Sequence, residues 1–304
     1  MIHPTAIIHP KASIAEAVRI DPYAVIGEGV SIGRGSHIKS HSVLEGPRLI
    51  IGENNEIGPH ATLKSHTRLG DNNKIAPYCC IGAPPQDVKF REEESYVEIG
   101  HNNIMRECVT INRGTHHGGG LTRVGHNNFL MAYVHIAHDC RIEDHVVLAN
   151  CATLAGHVEI GEHAILGGMV AIAQFCRVGQ FVFLGGDSKI AKDIPPFMIA
   201  SRFSDSSEVR LRGINAIGLK RQGVDNTVIR HLKDAFQILF MSDLTLKEAL
   251  AQIKRDFFTT PQIQQLVHFI ESSKQGIIRQ KREKYAEKNQ YSRDRRGISR
   301  ELSY

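Results

Sequence analysis

A parallel β-helix built from six-residue repeats, followed by a helical region, is the fold this sequence predicts, and three observations predict it. An aliphatic residue recurs at every sixth position over most of the first 190 residues; glycine often follows it; and apolar periodicity changes to a helical pattern only after the repeat stops.

The first run is Ile2, Ile8, Ile14, Ile20, Ile26, Ile32, Ile38 and Leu44. One extra residue shifts the frame, which resumes as Ile51, Ile57, Leu63, Leu69, Ile75 and Ile81. An insertion of different character, around 82–98 and including GAPPQDVKFREEESYVE, precedes Ile99, Met105 and Ile111. A second insertion, around 112–123 and including NRGTHHGGGLTR, precedes the longest run, which goes from Val124 to Ile190. A period of six fits neither a helix nor a hairpin. It fits a short strand with one inward aliphatic residue and a turn in which Gly or Asn supplies φ > 0. Three such sides close a coil of about 18 residues that stacks on the next at roughly 4.8 Å. No coil buries its face alone, and insertions in such a repeat leave the prism at a face that often binds ligands.

The repeat domain is expected over 1–192, ending at Ala191-Lys192-Asp193-Ile194-Pro195-Pro196. Helical patterns then appear over Asp205–Lys220, Asn226–Phe240, Leu246–Phe258 and Gln262–Ser272, the last behind Thr260-Pro261 as a cap and first-turn pair. They make a helical domain over 193–278. Residues 279–304 hold nine Lys/Arg and four Asp/Glu, which accounts for the whole net charge of +5. This stretch is expected to be a basic, disordered tail, and the rest of the chain is electrically balanced. No broad basic surface for nucleic acid is expected. No apolar run near 18 residues occurs, so stable membrane insertion is not expected. The N-terminus has no leader pattern and the six cysteines have no CxxC spacing, so a cytoplasmic protein with six buried thiols is expected.

The string MAYVHIAHDCRIEDHVVLANCATLAGHV at 131–158 stands with QDVK at 86–89, RGTHHGGGLTRVG at 113–125 and GLKR at 218–221. Together with the hexapeptide repeat, these resemble the UDP-N-acetylglucosamine 3-O-acyltransferases of lipid A biosynthesis over residues 1 to about 278. The resemblance implies a left-handed β-helix and a homotrimer with sites between neighbouring prisms. It implies transfer of an R-3-hydroxyacyl group from acyl carrier protein to the 3-hydroxyl of the UDP-sugar. The acyl donor then arrives on the carrier's phosphopantetheine, and no cofactor or metal of the protein's own is expected.

Acyl transfer to an alcohol needs a base for the hydroxyl proton and a donor for the tetrahedral oxyanion. With 17 histidines in the chain, most are expected at solvated prism corners. The resemblance singles out His138 as general base, Asp139 as its orienting or charge-stabilising partner, and the Gly156 N–H as oxyanion donor. Asp139 reads equally well as a turn residue. His138 and Gly156 are one coil apart and should stack. The resemblance further implies that Asp87, Lys89, His135, His157, Gln174, Asn215 and Arg221 contact substrate, and that Gly186 leaves room for a long acyl chain. Three positions depart from the family pattern on the acceptor side: Ala173, Ile217 and Gln222. They keep open a UDP-2,3-diamino sugar or another altered acceptor. A His-ligated metalloenzyme using His135 and His138 and a non-catalytic scaffold are the readings from other classes.

Overall fold

A computed structural model describes residues 1–202 and 208–279. The basic tail lies outside the described residues, apart from Arg279. Strands of mostly two residues, most of them ending in the aliphatic residue of a repeat, form three sheets of ten, nine and eleven strands that are parallel except for the last strand of the third. Each strand pairs with the third one along, as in Ile8 with Ile26 and Ile26 with Leu44, so three sides make one coil. The expected β-helix of stacked coils is what the chain forms. Its axis is filled by the repeat's aliphatic residues, with Ile38, Leu63, Leu130, Leu148 and Leu166 all 0% exposed.

The turn chemistry follows the expectation at Gly29, Gly35, Asn54, Asn72, Asn102 and Asn127, which all have φ > 0, and differs from it at the other corners. The glycine after the aliphatic residue is not the residue with φ > 0. It is needed because consecutive coils approach too closely for a side chain: a Cβ on Gly33 would lie 2.5 Å from the carbonyl of Gly52, and one on Gly52 2.7 Å from the Gly70 oxygen. The left-handed residue falls three places after the aliphatic one, and it is commonly not glycine. Tyr23, His41, His60, Tyr78, Asp139, His145, His157 and His163 all have φ near +60°, a conformation costing roughly 1–2 kcal/mol per residue. Ring stacking between coils offsets part of that cost. His41 and His60 stack at 4.9 Å, His145 and His163 at 4.7 Å, and His163 and Phe181 at 4.8 Å between centroids. This explains why so many histidines sit at corners.

A second inward position, two residues before the aliphatic one, carries a buried asparagine ladder. Asn55, Asn73 and Asn103 each accept from the backbone N–H of the next coil's residue at 2.8–2.9 Å. Each also donates to a glycine carbonyl at 2.8–3.0 Å, which satisfies polar groups that would be costly left unpaired. The expectation of six buried thiols is corrected: Cys79, Cys140 and Cys176 are buried, Cys80 and Cys108 are half-buried, and Cys151 is exposed. Cys108 and Cys151 occupy the outward, left-handed corner position. Burial pushes Cys79 and Cys140 up to about 12, which keeps those thiols protonated and inert.

The coil continues past Ile190. Ile194 bridges to Val178, and Met198–Arg202 pairs in parallel with Phe183-Leu184, so a further coil forms beyond the expected stop. The helical reading of 205–220 holds over 216–220 and is corrected over Val209–Ile214. Val209–Ile214 is a strand antiparallel to Met198–Arg202, because Val209 and Leu211 alternate with Arg210 and Arg212 at a period of two. Residues 203–207 lie outside the described residues. Helices α1 (Ala216–Arg221), α2 (Asn226–Phe236), α3 (Leu246–Phe257) and α4 (Pro261–Glu271) follow. Pro261 opens α4, but the Thr260 hydroxyl bonds His231 at 2.8 Å instead of capping the helix. The helices are tied to the prism by Arg177, which pairs with Asp193 at 3.3 Å and lies 4.4 Å over the Phe269 ring. No helix among the described residues is long and apolar enough to cross a membrane.

Candidate active site

Both insertions leave the prism at the same corner. The first runs from the strand Cys80–Ala83 to Tyr96–Ile99, and the second from Thr110–Asn112 to Leu121–Val124. In both cases the chain is crossing from the first sheet to the second. They are stitched together by Asn112 donating to the Pro84 carbonyl at 2.6 Å and Tyr96 N–H donating to the Gly120 carbonyl at 2.7 Å. One coil further on, the same corner carries His138 and Asp139.

His138 and Asp139 are 4% and 6% exposed, in a protein whose other corner histidines are mostly half-buried or exposed. The Asp139 carboxylate accepts from His138 Nδ1 at 2.8 Å. That places the neutral imidazole's proton on Nδ1 and leaves Nε2 with a free lone pair. Asp139 Oδ1 also accepts from Thr115 N–H at 2.9 Å, and Oδ2 accepts from the Thr115 hydroxyl at 2.6 Å. Asp139 is therefore both a left-handed turn residue and the group that orients His138.

Three positions stack in columns. Gly156 lies over His138 so closely that a Cβ there would be 2.4 Å from the imidazole Cε1 and 2.6 Å from Nε2. The inter-coil ladder uses the N–H groups on either side of it, Ala155 to Ile172 and His157 to His138, both at 3.0 Å. Among the described residues the Gly156 N–H itself has no backbone acceptor. Gln174 is exposed one coil above Gly156, a register fixed by Phe175 N–H donating to the Gly156 carbonyl at 3.2 Å. His157 stacks on Phe175 at 4.5 Å and meets His138 edge-on at 5.1 Å, with its Nε2 3.7 Å from Asp139.

Desolvation holds His157 below the usual histidine range, with Asp139 opposing that shift and His138 adding to it. Desolvation, then the positive potential of His138, does the same to His135, whose Nδ1 lies 2.7 Å from the Thr110 hydroxyl. Asp87 comes in on the first insertion, 3.3 Å from His117 on the second. The Lys89 N–H bonds the Asp87 carboxylate at 2.8 Å and, with lesser help from His117 and His138, lowers its pKa. The Lys89 side chain is exposed.

His138, Asp139, Gly156, His157, Gln174 and Asp87 are thus drawn to one corner, with His135 on the adjacent strand. Asn215 and Arg221 are elsewhere. Asn215 caps α1 by accepting from Gly218 N–H at 3.0 Å and donates to the Phe181 carbonyl at 2.9 Å, while Arg221 is exposed on α1. Gly186 stacks on Gly168 at another corner, where a Cβ would approach the Gly168 oxygen to 3.0 Å. Thr115 and His117 are site residues that sequence reasoning missed. Their signal was present in RGTHHGGG, where glycines let a loop close tightly. A Cβ on Gly118 would lie 2.2 Å from the Asp139 carboxyl carbon. Ligand atoms of His138, Asp139 and His157 lie within 4.8 Å of one another, whereas His135 is bonded to Thr110 and stands outside that group.

Comparison with known proteins places the chain in a family. Residues 193–278 match the domain family described as UDP-N-acetylglucosamine O-acyltransferase, domain 2, and residues 121–156 match bacterial transferase hexapeptide repeats. Residues 2–84 match the GMPPB C-terminal domain. An acyl-(acyl-carrier-protein)–UDP-N-acetylglucosamine O-acyltransferase of Thermodesulfovibrio yellowstonii is 48% identical over 278 residues, covering 91% of this chain and 99% of the relative. The enzyme of the same name from Syntrophobacter fumaroxidans is 44% identical over the same shares. Among solved structures, a UDP-N-acetylglucosamine acyltransferase from Bacteroides fragilis superposes with a TM-score of 0.80 at 41% identity, covering 92% of this chain and all of the other. The Arabidopsis UDP-N-acetylglucosamine acyltransferase gives 0.79 at 31% identity, covering 91% of this chain and 99% of the other. With a corner site of this geometry and relatives matched over nearly their full length, the chain belongs to the UDP-N-acetylglucosamine O-acyltransferase family.

Proposed function

We propose that this protein transfers an R-3-hydroxyacyl group from acyl carrier protein to the 3-hydroxyl of UDP-N-acetylglucosamine, with His138 as general base. The observation that carries the reading is the buried His138–Asp139 pair lying directly under Gly156 where both insertions converge. His138 Nε2 takes the acceptor's hydroxyl proton as the oxygen attacks the thioester carbonyl. The oxyanion accepts from the Gly156 N–H, which has room for it because no side chain stands there. Collapse expels the pantetheine sulfur, which takes the proton back from His138. Asp139 stabilises the imidazolium between those steps. The donor arrives on the carrier's phosphopantetheine, so the route needs no cofactor or metal held by the protein.

Asp87, Lys89, His117, His157 and Gln174 line the acceptor side in this reading, with Lys89 free to meet a pyrophosphate. The acyl chain runs across the outer face of the first sheet, where His135, Thr153 and Ala171 lie in register, toward the side-chain-free notch at Gly168 and Gly186. That notch favours a long chain. Asn215 and Arg221 lie away from His138 within one chain, as expected if a neighbouring protomer of a homotrimer supplies them. Support for assembly comes from the outer face of the third sheet, where Ile104, Phe129, Val147, Ile165 and Phe183 form one continuous apolar row.

A second acceptor is favoured by specific residues. Ala173 precedes Gln174 above Gly156, and Ile217 is 66% exposed on α1. With Gln222, they stand where the family pattern has a histidine, an acidic residue and an arginine, and the loss of these ionisable groups suits a UDP-2,3-diamino sugar, whose amine needs less help from a base. The test is transfer from 3-hydroxymyristoyl-acyl carrier protein, comparing UDP-N-acetylglucosamine with its 3-amino analogue. Ester formation on the hydroxyl sugar supports the proposal; turnover of the amino sugar alone replaces it with the second reading. Stoichiometric zinc in the purified protein would contradict both.

A further inference from the structure

We propose that Thr115 is a positioning residue of the acyl-transfer site, acting on His138 through Asp139; the inference rests on the reading of His138 as the base. Thr115 is 0% exposed and belongs to the second insertion, not to the prism. It holds both oxygens of the Asp139 carboxylate, through its N–H at 2.9 Å and its hydroxyl at 2.6 Å. The oxygen that accepts from the hydroxyl is the one that accepts from His138. The hydroxyl in turn accepts from Gly118 N–H at 3.2 Å, which closes the short turn His116–Gly118 against the carboxylate. Thr122 fixes the other end of the residue, its hydroxyl accepting from Asp139 N–H at 2.8 Å.

A purely structural threonine would need only backbone partners. Here one hydroxyl proton is placed on a carboxylate oxygen shared with the base, so it sets both the position and the basicity of Asp139. Without that donor, Asp139 holds the His138 proton more tightly, and the neutral base forms only at higher pH. The other titratable groups facing the pair are His157, 3.7 Å from Asp139, then Asp87 and His117 beyond it, with His135 on the strand before His138. None of them donates to the oxygen that Thr115 serves, among the hydrogen bonds of the described residues.

The experiment uses full-length Thr115→Val and Thr115→Ser proteins with 3-hydroxymyristoyl-acyl carrier protein and UDP-N-acetylglucosamine. A general base supplies roughly 10²–10⁴-fold, so Thr115→Val should lower kcat about 10-fold or more with KM for the sugar within about twofold. The acid limb of its kcat/KM profile should move to higher pH, and Thr115→Ser should restore both quantities. If the valine variant does not fold, Thr115→Ala, which adds no atoms, gives the same reading. A folded valine or alanine variant with unchanged kcat and acid limb, or with only KM raised, overturns the proposal. His138→Ala run alongside separates the two failures. Transfer retained in His138→Ala removes the base and this proposal together, whereas an inactive His138→Ala beside an unaffected Thr115→Val removes this proposal alone.

Discussion

At the scale of single residues, the site works through what is absent as much as through what is present. Gly156 has no side chain, so His138 can lie under it, and in the proposed mechanism the substrate carbonyl reaches the backbone N–H. Gly156→Ala is expected to reduce kcat by roughly 10²-fold or more, since the methyl would displace the imidazole or block the oxyanion position. Steady-state kinetics check this, and an alanine variant with ordinary kcat would contradict it. His138 and Gly156 were singled out by the family resemblance, and their stacking was legible because an 18-residue separation in a regular repeat dictates it. Thr115 and His117 were not, because their contacts depend on how an insertion folds back. Spacing along the chain carries no information about that.

At the scale of elements, the corners explain features that the repeat alone did not. The period announced the strands, and the sheets follow it strand for strand. It did not reveal which corner residue would be left-handed, because the glycine it displays serves close coil stacking and the strained position is held instead by stacked rings. One such column is His145, His163 and Phe181. Desolvation holds His163 below its usual range, with Glu162 opposing and His145 adding to the shift; Asp144 opposes it more weakly. A histidine depressed in the folded state binds fewer protons there than when unfolded, so stability is lost as pH falls through the unfolded value of about 6.5. His163→Phe extends the ring column without a titrating group. Its Tm is expected to fall less than that of the parent between about pH 7 and pH 5.5, as measured by scanning calorimetry; parallel curves would contradict the assignment. The strand Val209–Ile214 was misread as helix because five apolar residues over 16 positions can satisfy a helical wheel. The alternation of Val209, Arg210, Leu211 and Arg212 was the better local signal.

At the scale of the whole molecule, the prism's faces are unequal. The second sheet's outer row carries the exposed Arg123, Arg141 and Glu159, a solvated pattern, and ends at Arg177, which the helices cover. The third sheet's outer row runs from Ile104 to Phe183 without a charge, leaving Ile104, Ile165 and Phe183 exposed by 41%, 37% and 42%. Such a row is the kind of surface the proposed trimer would bury. Sedimentation is expected to give three times the chain mass of 33.8 kDa, and Ile165→Glu with Phe183→Glu is expected to yield monomers with little transferase activity. A monomeric parent, or an unaltered trimer in the double variant, would contradict this.

In the proposed reaction the decisive group is His138, acting as the base under Gly156. The measurement that tests it most directly is acyl transfer from 3-hydroxymyristoyl-acyl carrier protein to UDP-N-acetylglucosamine by His138→Ala, at equal folded concentration with the parent. Loss of roughly 10²–10⁴-fold in kcat with assembly intact is the expected result. Transfer at the parental rate would mean that the proton leaves by another route and that the His138–Asp139 pair serves the fold alone.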